Sequence, residues 1–84
     1  MTNYQRVKAT IEAQGLNVGC LSEELNELSE VEIGMVLEAI KEDEPSTFKF
    51  LKKDFLVEFE NPYYNNERDV TVKPLNYYGE EDYE

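Results

Sequence analysis

Carboxylates are the most abundant reactive groups in this 84-residue chain, and many lie close together in its middle. Between positions 23 and 44 nine acids face a single base, Lys41; the acids are Glu23, Glu24, Glu27, Glu30, Glu32, Glu38, Glu42, Asp43 and Glu44. At about 1.5 Å per helical residue, this stretch spans about 33 Å and presents one carboxylate about every 3.7 Å. One DNA strand carries a phosphate about every 3.4 Å. The spacing fits a surface that binds basic groups, and it also fits a solvated helix face made of good helix formers.

The last nine residues, 76–84, combine aromatic rings with acids and contain no base. They include Tyr77, Tyr78, Glu80, Glu81, Asp82, Tyr83 and Glu84. Tyrosine is common at binding surfaces because it offers a large contact area at a low cost in conformational entropy. Its ring attracts arginine by cation–π contact, and a neighbouring carboxylate adds charge-assisted hydrogen bonds. The segment therefore predicts contact with an arginine-rich surface, with a mobile solubilising tail as the alternative.

Several kinds of chemistry are excluded by the residues that the sequence lacks. There is no histidine and only one cysteine, so one chain cannot build a Cys/His zinc site or a histidine-dependent nucleophile. Gly15 and Gly19 are not followed by the Lys-Ser/Thr of a phosphate-binding loop. Close carboxylate pairs are expected by chance among 19 acids. We therefore predict a protein that is not an enzyme and that holds neither cofactor nor metal.

The charge balance indicates what kind of partner the chain has. Nineteen acids against eight bases give a net charge of −11, which repels nucleic acid and anionic membranes and attracts basic surfaces. The longest apolar run, Ile33 to Leu37, is far shorter than the roughly 20 residues of a membrane-spanning helix. Cys20 alone suits a reducing compartment and is expected to be a small core residue. We predict a cytoplasmic protein (in the host cytoplasm if phage-encoded) that binds a basic protein and neither nucleic acid nor membrane.

The N-terminal half reads as helical. Thr2 and Gln5 form a capping box, and Gly15 followed by Leu16 predicts a glycine-terminated end, so the first helix covers 3–14. A connector at 16–21 precedes a short helix at 22–28, a bend, and a helix at 30–43 that ends before Pro45. Ser29 and Glu32 are a second potential capping box, and an apolar stripe follows at Ile33, Val36, Leu37 and Ile40.

The pattern changes after Pro45. A further short helix is expected to start there. Its three lysines, at 49, 52 and 53, are expected to complement the acidic helix of the same chain or of a second copy rather than to bind nucleic acid. Alternating apolar residues predict strands at 55–60 and 69–73. The expected fold is α+β: one domain at 1–75, in which three or four N-terminal helices pack on a C-terminal two-stranded antiparallel hairpin. The acidic, tyrosine-rich tail at 76–84 is expected to be mobile.

Two functions remain from these observations. The first is a small acidic inhibitor that occupies the basic nucleic-acid-binding surface of a host or defence protein. In composition, though not in any motif, the chain resembles the small acidic proteins that phages use against host defences, including DNA mimics and anti-CRISPR proteins. The predicted binding residues are Glu23, Glu24, Glu27, Glu30, Glu32, Glu38, Tyr77, Tyr78, Glu80, Glu81, Asp82 and Tyr83.

The second function is a structural or regulatory adaptor subunit, with a homodimer as one form. Helices followed by a hairpin occur in this order in winged-helix domains, and the segment from Ser29 to Ile40 would be the third element. A DNA-binding winged helix presents basic residues there, whereas this helix presents Glu30, Glu32 and Glu38. A winged-helix-like scaffold is therefore retained as the alternative, without direct DNA binding.

Overall fold

A computed structural model describes residues 1–60 and 68–75. Two α-helices, a short 3₁₀ helix and four strands follow one another in the order α1 (Asn3–Ala13), β1 (Asn17–Leu21), the 3₁₀ helix (Glu23–Glu27), α2 (Glu30–Lys41), β2 (Ser46–Lys49), β3 (Asp54–Glu60) and β4 (Asp69–Pro74). The helices form one layer and the strands the other.

Local sequence signals set both ends of α1. The Thr2 hydroxyl accepts a hydrogen bond from the Gln5 N–H, and the Gln5 side chain accepts one from the Thr2 N–H, which is the predicted capping box. At the other end Gly15 adopts a φ of 78°, a conformation that glycine adopts without steric cost. The Leu16 and Gly15 N–H groups donate to the carbonyls of Ile11 and Glu12, so the helix ends in a Schellman motif as predicted.

The ends of α2 are closed in the same way. Ser29 and Glu32 form the second capping box. Asp43 takes the left-handed position after the helix, with a φ of 58°, and its N–H donates to the Ile40 carbonyl while the Glu44 N–H donates to that of Ala39. These bonds confirm a separate helix that starts after Ser29 and ends before Pro45.

The four strands form one mixed sheet in the order β1-β4-β3-β2. β3 pairs antiparallel with β4 and with β2, whereas β1 runs parallel to β4. The register of β1 shifts between Val18 and Leu21. Both β1 and β2 are therefore edge strands, with β3 and β4 between them.

The core lies between the helical layer and one face of the sheet. Its buried side chains come from both helices, the 3₁₀ helix and the two central strands: Val7, Ile11, Leu25, Leu28, Ile33, Val36, Ile40, Phe55, Val57, Val70 and Val72. Alternate burial of Phe55 and Val57 follows from the two-residue period of a strand. On the same face Phe48 and Phe50 stack with ring centroids 5.3 Å apart, and they pack against this core.

The expected fold class is wrong. The described residues contain two α-helices and a four-stranded mixed sheet, not three or four helices on a two-stranded hairpin. The pairing of 55–60 with 69–73 is present, but the predicted connector at 16–21 contains β1, and the helix predicted after Pro45 is strand β2. The winged-helix-like alternative was based on helices followed by a hairpin, and β1 and β2 interrupt that order.

Physical reasons account for these two errors. β1 contains Asn17 and Gly19, which are poor strand formers, and it is a strand only because it pairs with β4 about fifty residues later. β2 has only four residues, too few for its alternation of Ser46 and Phe48 with Thr47 and Lys49 to outweigh the helix-start signal of Pro45.

Neither α-helix is long and apolar enough to cross a membrane, within residues 1–60 and 68–75.

Candidate interaction surface

Three of the acids predicted to bind a partner have structural roles within the chain. The Arg6 guanidinium donates to Glu30 at 3.0 Å, and the Lys53 ammonium donates to Glu24. Glu32 accepts hydrogen bonds from the N–H groups of Ser29, at 3.0 Å, and Leu51, at 3.4 Å. The hydrogen bond from the Ser29 N–H holds the pKa of Glu32 below its ordinary value, with Leu51 adding to the effect. Each of these three acids therefore has a partner elsewhere in the fold.

The other three acids in the described residues, Glu23, Glu27 and Glu38, are exposed. Glu23 and Glu27 bound the 3₁₀ helix, whereas Glu38 lies on α2, and the break at Leu28 and Ser29 separates the two helices. The structure therefore does not bring the acids into one continuous line of the kind that the spacing suggested. Tyr77, Tyr78, Glu80, Glu81, Asp82 and Tyr83, the predicted binding residues of the tail, lie outside the described residues.

Many of the basic side chains face the chain's own acids. Besides the pairs of Arg6 and Lys53, the Lys49 ammonium lies 3.7 Å from Asp54, and the Arg68 guanidinium lies 2.5 Å from Asp43. Arg68 also lies over the Phe59 ring, 5.0 Å from its centroid. The lysines at 49, 52 and 53 were predicted to complement the acidic helix of this chain or of a second copy. Lys53 does contact Glu24 of the 3₁₀ helix, whereas Lys49 contacts Asp54 of β3.

Like charges meet at the C-terminal end of α2. Glu38 and Glu42 are one helical turn apart, and their carboxyl groups are within hydrogen-bonding reach. The hydrogen bond with Glu38 raises the pKa of Glu42, and the negative charges of Glu38 and Glu44 raise it further. A pair of acids at this spacing destabilises an isolated helix, so stability alone does not explain the arrangement.

These acids border an open groove of about 420 Å³ between α2 and the edge strand β2. The groove has an acidic end and an apolar end. Its lining comes from two elements and the turn between them: Val31, Gly34, Met35, Glu38, Ala39, Glu42, Glu44, Ser46 and Phe48. Val31 is 74% exposed and Met35 46% exposed, so apolar area on α2 faces out beside the carboxylates. Apolar area next to charge is typical of protein-binding surfaces.

Gly34 opens the floor of this groove. It lies within α2, where glycine is less favourable than alanine by about 1 kcal/mol. A Cβ atom added at this position would have no atom within 4 Å. Packing therefore does not require glycine at 34, and the missing side chain exposes the helix backbone to whatever enters the groove.

Only part of this surface was foreseen from the sequence. Glu38 was predicted to bind a partner, whereas Val31, Gly34, Met35, Glu42, Ser46 and Phe48 were not singled out for that role. One signal was available: Val31 and Met35 are four residues apart and lie off the core stripe of Ile33, Val36 and Ile40, so they form a second apolar face. The strand side of the groove had no comparable signal because β2 itself was not predicted.

Cys20 was expected in the core, but it is exposed, because β1 is an edge strand with an irregular register. Within the described residues no group of three or more cysteine or acidic side chains is arranged to hold a metal ion. What the surface offers is therefore charge, apolar area and strand edges.

No family model matches this chain, and the searches of curated proteins and of solved structures found no match either.

Proposed function

We propose that this chain is a non-enzymatic acidic protein that binds the basic, nucleic-acid-binding surface of another protein and thereby excludes nucleic acid from it. The observation that carries the proposal is the distribution of charge. Basic side chains, among them Arg6, Lys53 and Arg68, are held in ion pairs with the chain's own acids. The chain has a net charge of −11 that these pairs leave uncompensated, and the exposed carboxylates of Glu23, Glu27 and Glu38 are part of it.

Such a surface favours a basic protein over nucleic acid. Repulsion from phosphates opposes DNA and RNA binding, whereas clustered carboxylates attract arginine and lysine over a distance set by the ionic strength. Self-repulsion among the acids also destabilises the folded chain. This charge is therefore more than a fold of this size needs, and binding to a positive surface would relieve it.

The direct test begins with capture of partners by the full-length protein from its native cell and identification by mass spectrometry. A captured basic protein is then loaded with a fluorescent oligonucleotide, and the chain is titrated in. We expect displacement of the oligonucleotide, with an association rate that falls as salt is raised from about 50 to about 500 mM, because the Debye length shrinks about threefold. In a mobility-shift assay at low salt the chain itself should leave duplex DNA unshifted.

Two variants of equal charge separate a local site from general electrostatics. One combines Glu23→Gln, Glu27→Gln and Glu38→Gln, and its control combines Glu12→Gln, Glu58→Gln and Glu60→Gln elsewhere on the molecule. The first should weaken displacement more than the control does. The proposed function is contradicted if neither the parent chain nor the control displaces the oligonucleotide. Micromolar binding of duplex DNA by the chain itself would also contradict it.

The tail is a second proposed part of the binding surface. Deletion of 76–84 removes Tyr77, Tyr78, Glu80, Glu81, Asp82 and Tyr83, and we expect it to weaken partner binding about ten- to a hundredfold, as the loss of two or three contacts of about 1 kcal/mol each would do. Unchanged affinity after the deletion would assign the interface to the rest of the chain.

A structural or regulatory adaptor remains the second candidate, now without the winged-helix-like scaffold. It is favoured by the exposed apolar side chains of Val31 and Met35 beside the edge strand β2, which could form a subunit interface. Sedimentation at several protein concentrations tests for the homodimer. A dimer that persists at high salt would support this candidate over the electrostatic one.

A further inference from the structure

We propose that the groove between α2 and β2 binds an extended segment of the partner protein, which adds to the free edge of β2 as a fifth strand. The segment carries an apolar side chain and a lysine or arginine two positions apart. This inference rests on the proposed function in one respect, that the partner is basic, and it specifies how the partner is held.

The strand β2 forms one edge of the sheet. In the order β1-β4-β3-β2, one side of β2 pairs with β3 and the other pairs with no strand in the described part of the chain. Alternate residues of an edge strand direct their N–H and C=O groups outward, where another strand can pair with them. Natural sheets often block such edges with a bulge or proline; β2 has a regular register from Ser46 to Lys49.

The direction of the groove follows from how α2 is connected to β2. β2 follows α2 through a short turn, so Ser46 lies near the C-terminal end of α2. Farther along, the Leu51 N–H reaches Glu32 in the first turn of α2. β2 and α2 therefore run in opposite directions, with Glu38, Glu42 and Glu44 near Ser46, and Met35 and Val31 nearer to Phe48.

The spacing of side chains along a strand decides which residues of the bound segment face the groove. In a strand added beside β2, every second side chain would point toward the groove, and neighbouring side chains on that face are about 6.7 Å apart. Ser46 and Phe48 are two residues apart on the corresponding face of β2. A segment whose apolar side chain lies level with Phe48 therefore places its next groove-facing side chain level with Ser46, beside the carboxylates.

The negative charge at one end of the groove decides which partner fits it. At the acidic end Glu38 and Glu42 repel each other, and a cation between them would relieve that repulsion. A second copy of this chain fits less well, since it brings another net charge of −11 to the same rim. A basic partner is thus favoured over a homodimer at this groove.

Gly34 completes the geometry. Its missing side chain leaves space at the floor of the groove, and nothing lies within 4 Å of a Cβ placed there. A leucine at 34 fits the fold but fills the groove, so it tests docking without removing any charge.

The experiment uses the ¹⁵N-labelled full-length protein and two nine-residue capped peptides of identical composition, rich in threonine. One has valine and arginine two positions apart, and the other has them three positions apart, on opposite faces of a strand. NMR titration should show shifts in α2 and β2 with the first peptide, which should bind at least threefold more tightly than the second. A version of the first peptide N-methylated at alternate residues, which lacks those main-chain donors, should lose binding.

Variants then test each part of the site. Gly34→Leu should abolish binding, and its control Ala9→Leu on the exposed part of α1 should leave it unchanged. Glu38→Gln with Glu42→Gln should weaken binding about fivefold, whereas Glu23→Gln with Glu27→Gln should have less effect. Thermal melting of Gly34→Leu verifies that the variant is folded, and Gly34→Ala serves as a second, smaller substitution.

Three results would overturn the inference: shifts confined to other elements, full binding by Gly34→Leu, or a dimer at this edge that Gly34→Leu dissociates. If peptide binding fails but oligonucleotide displacement by the full-length chain still depends on its acids, the proposed function stands and the docking mode is wrong. If the peptides bind as expected but no basic partner is displaced from its oligonucleotide, the groove stands and the proposed function is wrong.

Discussion

The two edge strands of the sheet differ in how closely other atoms approach the glycine that lies in or beside them. At the β1 edge Gly19 packs so closely on β4 that an added Cβ would lie 3.0 Å from the Thr71 hydroxyl and from the Val70 carbonyl oxygen. At the β2 edge Gly34 of α2 faces open space beside the groove. The same residue type thus permits close contact at one edge and leaves room at the other.

The register of the strands shows the same contrast. β1 is irregular between Val18 and Leu21, which blunts an edge against further pairing. β2 keeps a regular antiparallel register and lies beside exposed apolar side chains and clustered acids. We infer that an edge strand of this sheet is available to a partner only where its backbone is regular and the helical layer leaves space beside it.

The largest expected effect is at β1, where Gly19 packs closely on β4. Gly19→Ala should lower the free energy of unfolding by about 1–3 kcal/mol, because the methyl group meets the backbone of β4 and that strand cannot yield easily. Urea denaturation followed by circular dichroism measures the change. An unchanged midpoint would show that β1 separates from β4 without loss of stability, which contradicts the close packing of Gly19 on β4.

The next effect concerns the helix beside each edge. Ser29→Ala removes the N-cap of α2 and Thr2→Ala that of α1, and each should cost about 1 kcal/mol. Glu32 shares the cap of α2 and also accepts from the Leu51 N–H, just after β2. Ser29→Ala should therefore speed hydrogen exchange at Leu51, whereas Thr2→Ala should not. Equal exchange at Leu51 in both variants would mean that the cap does not help to hold the β2 edge.

A smaller effect of opposite sign is expected in the groove. Gly34→Ala should raise the free energy of unfolding by about 0.5–1 kcal/mol, because alanine is the better helix former and the added methyl group meets nothing. Thermal melting beside Gly19→Ala gives the matched comparison. A loss of stability in Gly34→Ala would show that α2 needs the glycine, and would remove it as an argument for an open site.

The smallest effect is the pH dependence at the two ends of α2. The pKa of Glu42 is raised, so its ionisation opposes folding; the stability that it contributes is present below its ordinary pKa of 4.5 and is lost as pH rises through the folded value. The pKa of Glu32 is lowered, so its contribution is present above pH 4.5 and is lost as pH falls through the folded value.

Carboxyl ¹³C titration should therefore find Glu42 above 4.5 and Glu32 below it. Glu42→Gln should be more stable than the parent at pH 7, with no advantage well below pH 4.5. Glu32→Gln should show the reverse trend, with a loss at pH 7 that shrinks in acid. Identical midpoints for the two groups would contradict the description of one end of α2 as satisfied and the other as repelling.

How much of the candidate site the sequence predicts depends on the distance over which its parts interact. The excess of acids follows from composition, and so does the proposal that the partner is basic. Which acids remain exposed does not, because Glu24 is paired with Lys53, 29 residues later, and Glu30 with Arg6, 24 residues earlier. The groove could not be predicted, since one of its walls is a strand that the sequence did not reveal.

The sequence alone determined the first residues of α1 and α2, because capping boxes act between residues three positions apart. The predicted last residues, 14 and 43, lie slightly beyond the observed ends at Ala13 and Lys41. The sequence also determined that 55–60 and 69–73 are strands, since each has its own alternation. Only the tertiary structure made strands of 17–21 and 46–49, whose short segments lack a strong pattern. The first becomes a strand by pairing with the distant β4, and the second by pairing with β3, the next strand along the chain. Tertiary contacts likewise decided that Gly19 packs closely on β4 while open space lies beside Gly34, because the steric space at each glycine depends on which atoms the fold brings near it.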